Sequence, residues 1–94
     1  MTRPLDERTR AAVRPNVYAR PFGDELVLLD FATGEYFGLD RVGADVFARL
    51  GEGATLGEIA DALVSRYDVA RNDAIQDVID LVGELRDFAL VAVE

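Results

Sequence analysis

The sequence predicts an α+β fold, a three-stranded antiparallel β-meander followed by a bundle of three helices. Three observations carry it. Short β-rich runs separated by Gly-containing turns fill residues 17 to 39. Apolar residues then recur at helical spacing, most clearly at Leu56, Ile59, Ala60, Leu63, Val64 and Tyr67. Capping signals stand where each of the first two helices should begin, at Asp40 and at Thr55-Leu56-Gly57-Glu58.

The elements follow in order. Residues 1 to about 14 hold few large apolar side chains and no sustained period, so residues 1–15 read as a mobile N-terminal arm and 16–94 as the folded domain. Val17 to Phe22 is a short strand with Pro21 near its end, a position tolerated on a sheet edge. Gly23 and Asp24 form a turn. Glu25 to Phe31 is apolar on both faces, as a central strand should be. Ala32-Thr33-Gly34-Glu35 is a tight connection in which Gly34 takes positive φ, as in a three-residue hairpin loop. Glu35 to Leu39 is the third strand.

The first helix carries Val42, Val46, Phe47 and Leu50 on one face and ends at Gly51 and Gly53. The third helix runs from about Asn72 to Phe88, and the apolar stretch from Ala89 to Val93 packs back onto the core.

Composition excludes several classes of function. The chain has 94 residues, room for one domain with one modest core. No apolar run approaches the ~20 residues of a membrane span, and no signal-peptide pattern opens the chain. With no cysteine there are no disulfides, and cytoplasm is the default compartment. Histidine is absent as well, so the commonest general base, the best thiol nucleophile and the usual transition-metal ligands are all missing. Ser65 is the only serine and has no histidine to activate it. Gly51, Gly53 and Gly57 lack the lysine and the strand-to-helix setting of a phosphate loop, and no EF-hand spacing occurs. The chain therefore reads as non-catalytic, with no cofactor and no metal site.

Charge is uneven. The first 21 residues hold five arginines against two acids, while the remainder holds five arginines against sixteen acids, for a net −8 overall. Such a domain should repel nucleic acid and anionic lipid and favour a basic partner, although net negative charge also simply keeps a small domain in solution.

Two features point to a binding site. The strand Glu35–Leu39 has neither proline nor lysine to guard its edge, so either another part of the chain covers that edge or something pairs with it. The third helix spreads its apolar residues over about half its circumference, wider than the ~100° stripe that faces one core. Along one margin, beside Leu81 and Phe88, run Asp73, Asp77, Asp80 and Glu84. Acids one turn apart cost a few tenths of a kcal/mol per pair, so the stripe either attracts a basic peptide or is a plain solvated face. Together the two features suggest a peptide that adds a strand at Glu35–Leu39 and reads the third helix with alternate side chains.

At this point the chain resembles a known family. LLDFATGEYFGLDRVGADVFARL, GATLGEIADALVSRYDV and DVIDLVGELRDFALV, in this order across residues 17 to 93, are similar to PqqD-like recognition elements of ribosomally made, modified peptides. The match is most like the stand-alone versions from lasso peptide pathways. The aromatic strand after Thr33-Gly34, the helix start at Gly53-Ala54-Thr55, Tyr67-Asp68-Val69 and Asp77-Val78 carry it. The resemblance implies three strands and a winged-helix-like trio of helices. It also implies that a leader peptide docks antiparallel to the third strand, beside the third helix. Carried onto this chain, the site is Glu35, Tyr36, Phe37, Gly38 and Leu39 with Asp73, Ala74, Asp77, Val78 and Leu81. If the opposite helix margin faces the groove, Ile75, Gln76, Ile79 and Gly83 take the place of the helix residues. The implied partners are the precursor's leader segment, a separate cysteine-protease-like leader peptidase and the cyclase of a lasso pathway.

Other readings are open at this level. Within the family, the alternative is a carrier for the pyrroloquinoline quinone precursor peptide. Outside it, an open sheet edge could serve an assembly domain that pairs with itself. A winged-helix trio can also bind DNA, but the third helix exposes mainly acids where a major-groove reader needs Arg, Lys, Asn or Gln.

Overall fold

The computed structural model describes residues 4 to 94. In chain order its elements are β1 (Ala11–Val13), β2 (Val17–Phe22), β3 (Glu25–Asp30), β4 (Glu35–Leu39), α1 (Arg41–Gly51), α2 (Leu56–Arg66), α3 (Arg71–Asp87) and β5 (Val91–Val93). The expected architecture is present: β2, β3 and β4 form an antiparallel meander in that spatial order, and three helices follow. Among the described residues no helix is long and apolar enough to cross a membrane.

The meander is built by its turns. Gly23, at φ 65°, makes the two-residue β2–β3 loop, leaving Phe22 opposite Glu25. The β3–β4 loop holds four residues, Phe31 to Gly34, one more than the expected three, because Asp30 and Glu35 close it as a pair. Asp30 organises that loop. The residue is only 2% exposed, and its carboxylate accepts from the Asn16 side chain at 2.7 Å, the Ala32 amide at 2.9 Å and the Thr33 hydroxyl at 3.2 Å. The Asn16 bond is the chief cause of a pKa below the ordinary carboxylate value, followed by the Ala32 amide. Gly34, at φ 77°, completes the loop with its amide on the Asp30 carbonyl.

Each helix begins where the chain supplies acceptors for its free amides. Asp40 caps α1 by accepting from Gly43 N–H at 2.8 Å. At α2 all of the first four amides are satisfied. Thr55 and Glu58 close the expected capping box, and the Ile59 amide donates to the Thr55 carbonyl. The Leu56 and Gly57 amides donate to the carbonyls of Thr9 and Glu7, each at 2.9 Å.

Those last two bonds correct the expectation of a mobile arm over residues 1–15. Residues 4 to 14 are fastened along their length, whereas Met1 to Arg3 lie outside the described residues. Leu5 packs on the core, Arg71 joins Glu7 and Asp61 in one ion-pair network, and β1 pairs antiparallel with β5. The segment is held chiefly through its backbone, a kind of bond that leaves no apolar period in the sequence.

Helix α3 ends in a Schellman arrangement. The Leu90 amide donates to the Leu85 carbonyl and the Ala89 amide to that of Arg86. Ala89 occupies the left-handed position, φ 59°, normally held by glycine. This turn sends Leu90 and Val91 back into the core, as the apolar stretch predicts. The core lies between the inner sheet face and the helices, with Leu28, Val46, Leu56, Ile59, Val78, Val82 and Leu90 fully enclosed.

Candidate peptide-binding groove

In the sheet order β2-β3-β4, strand β4 pairs with β3 on one side only. Among the described residues no strand covers its other side, and β1 and β5 pair with each other. The backbone donors and acceptors of that edge therefore face outward and can take a further strand. Gly38 lies within it, and a Cβ built there would meet nothing within 4 Å, so the backbone is approachable.

Beside this edge runs an open groove of about 770 Å³. Tyr36, Phe37, Gly38 and Leu39 form its sheet side, and Asp77, Leu81, Glu84, Leu85 and Phe88 form its helix side. Its floor comes from Asp40, Val42, Gly43 and Val46 at the start of α1, with Leu63 of α2. The strand alternation decides what points inward. Phe37 and Leu39 share the inner face, and the Phe37 ring lies 5.0 Å from that of Phe88 at 51°. Tyr36 falls on the opposite face opposite Leu29 and is 72% exposed. The groove is thus apolar at its base, with three carboxylates, Asp40, Asp77 and Glu84, and no arginine in its lining.

The structure brings together six of the ten expected site residues: Tyr36, Phe37, Gly38, Leu39, Asp77 and Leu81. Glu35 opens the same strand but lies outside the lining. Asp73 is exposed on the first turn of α3, away from the groove. Ala74 and Val78, 1% and 0% exposed, belong to the core and do not line the groove. They sit on the broad apolar face of α3, and helical spacing alone does not divide that face into the part that packs inside and the part left over.

The margin of α3 left open by the sequence reading is also placed. Asp77, Leu81 and Phe88 look onto β4, Ile79 and Gly83 line a separate cleft together with Pro4 and Leu5, and Glu84 stands between the two and lines both. Leu5 comes so near Gly83 that an added Cβ would sit 3.7 Å from its side chain. The residues missed in the sequence list are Asp40, Val42, Gly43, Val46, Leu63, Glu84, Leu85 and Phe88. Glu84 and Phe88 were signalled by the acidic stripe. Val42, Val46 and Leu63 read only as core, since nothing in the chain order brings α1 and α2 to the β4 edge.

An edge strand beside an apolar cleft and a helix is the geometry of a peptide-capturing domain, and the chain belongs to the PqqD family. Residues 25 to 91 match the family model described as "Coenzyme PQQ synthesis protein D (PqqD)". Two solved structures are particularly similar. One is TbiB1 in complex with the TbiA(beta) leader peptide, 36% identical, with a TM-score of 0.80 over 85% of this chain and 93% of that one. The other is a lasso peptide synthetase B1 complexed with its leader peptide, 32% identical, with a TM-score of 0.82 over 87% of this chain and 96% of that one. No curated protein matches the sequence.

Proposed function

We propose that this chain binds the leader segment of a ribosomally made precursor peptide by strand addition at β4, and presents it for maturation of a lasso peptide. The observation that carries the reading is the unpaired β4 edge lying against the Phe37–Phe88 groove, in a fold shared with two B1 proteins solved with leader peptides. Backbone pairing supplies affinity that tolerates sequence variation. The groove adds selectivity through alternate side chains.

Catalysis belongs to other proteins in this reading. A chain without histidine or cysteine cannot itself be a cysteine-protease-like peptidase, so a separate leader peptidase removes the leader and a cyclase receives the presented substrate. Presentation to a partner of the pyrroloquinoline quinone pathway is the second reading, favoured by the description of the matching family model. The two B1 neighbours, similar over most of their own length, weigh towards the lasso reading.

The test is fluorescence anisotropy with labelled leader peptides of lasso precursors, the TbiA(beta) leader among them. An ordered stretch of ten to fifteen residues is expected to bind with Kd of roughly 10⁻⁸ to 10⁻⁶ M, after the several kcal/mol spent in ordering it. No binding up to tens of micromolar by the folded monomer would remove the reading. Binding only to a quinone-cofactor precursor would favour the second one.

A further inference from the structure

We infer that the groove selects a leader carrying a basic side chain on its groove-facing positions, read by Asp77 and Glu84 on α3. The inference rests on strand addition at β4 and goes beyond it by assigning a charge to the ligand.

Three observations carry it. First, among the described residues the carboxylates in ion pairs with arginine lie elsewhere: Asp6 with Arg8, Asp45 with Arg66, Glu7 and Asp61 with Arg71, and Asp87 with Arg86. Asp77 and Glu84 have no side-chain partner among the described residues, although both line the groove and the chain holds ten arginines. Second, the surface between them is apolar. Leu81 lies between the two acids in sequence, Leu85 follows Glu84 and lines the same groove, and Phe88 is 48% exposed at the far end. Third, Asp77 stands one turn from Asp73 and from Asp80, and Glu84 one turn from Asp80, so like charge crowds the helix beside the groove although Asp73 and Asp80 lie outside its lining.

The geometry suits an amphipathic cation. Residues of an added strand opposite Phe37 and Leu39 are two apart and share their face, so they point into the groove. Asp77 and Glu84 are seven residues apart on α3, roughly 10 Å along its axis, a span covered by about three residues of an extended chain. An arginine or lysine at an inward position lays its methylene stem along Leu81 and Phe88 and brings its head to a carboxylate at the rim. An acidic side chain in the same place meets like charge over an apolar floor, so the rim also rejects wrong peptides.

The test is selection of a random 14-residue mRNA-displayed peptide library on the wild-type protein and on the double variant Asp77→Asn/Glu84→Gln. Wild type is expected to enrich peptides with apolar residues two apart and Lys or Arg at a position of the same parity. The variant should keep the apolar pattern and lose the basic preference. The best basic peptide should bind the variant about threefold to tenfold more weakly at low salt, and its glutamine counterpart should not distinguish the two proteins. Apolar enrichment without a basic preference, or a basic preference that survives in the variant, would overturn the inference and leave strand addition standing. No alternating apolar pattern at all would remove strand addition itself, and this inference with it.

Discussion

The two margins of α3 began as equals in the sequence and ended as opposites in the structure. Both carry large apolar residues beside polar ones, Leu81 and Phe88 on one side, Ile75 and Ile79 on the other. The N-terminal segment settles the difference. Leu5 packs beside Gly83 and shares a cleft with Pro4 and Ile79, while Leu81 and Phe88 line the open β4 groove. A helix with a wide apolar face needs two coverings. One margin adjoins the chain's own N-terminal segment, and the other stays open along the β4 groove.

Paired substitutions should separate the margins most sharply. Leu81→Arg puts a bulky cation into the groove and is expected to weaken leader binding by about thirtyfold or more, as loss of an interface anchor does. Leu81 is only half-buried, so the melting temperature should move by no more than a few degrees. Ile79→Arg should do the reverse, lowering the melting temperature through its lost packing and leaving Kd within about twofold. If both variants bound alike, the margins would not differ in function.

The covered side can be loosened from a distance. A Cβ on Gly57 would stand 3.0 Å from the Glu7 carbonyl oxygen and 3.1 Å from the Glu7 Cβ. Gly57→Ala should therefore push the segment off α2, at a cost of about 1 to 2 kcal/mol in urea unfolding. Leader affinity should be little changed, because the displaced segment touches the closed margin.

Smaller effects come from the elements that aim the two sides of the groove. Ala89→Gly relieves a left-handed alanine at the end of α3 and should stabilise the fold by about 1 kcal/mol in the same assay. At the base of the β3–β4 loop, Asp30 has a lowered pKa in the folded state. A depressed carboxylate contributes stability that is complete above its unfolded value and lost as the pH falls through the folded one. Acid unfolding below about pH 3.8 should therefore be partly an Asp30 event, and Asp30→Asn should flatten that limb of the stability curve.

Much of the fold was legible because it depends on local patterns. The strand β2 and the caps at Asp40 and Thr55 stand where turn and capping residues placed them, and α3 starts and ends within a residue of its expected bounds. The N-terminal segment was illegible for a physical reason. Its main bonds are carbonyls accepting from α2 amides, and any residue could supply those. The site was half legible. Phe37, Leu39 and Leu81 follow from strand and helix periodicity. Ala74 and Val78 lie in the core instead of the groove because periodicity marks the apolar face without saying how much of it the sheet and α2 consume. Val46 and Leu63 could be recognised as floor only after three helices and a strand had been brought together.

The most direct test of strand addition at β4 is residue-resolved amide hydrogen exchange, read by NMR with and without saturating leader peptide. In an antiparallel sheet the amides of an edge strand point alternately to the partner strand and to solvent. Binding should therefore slow every second amide from Glu35 to Leu39 by a large factor, together with shifts at Leu81 and Phe88. Unchanged exchange along β4, with a peptide that nonetheless binds and perturbs other residues, would contradict capture at this edge.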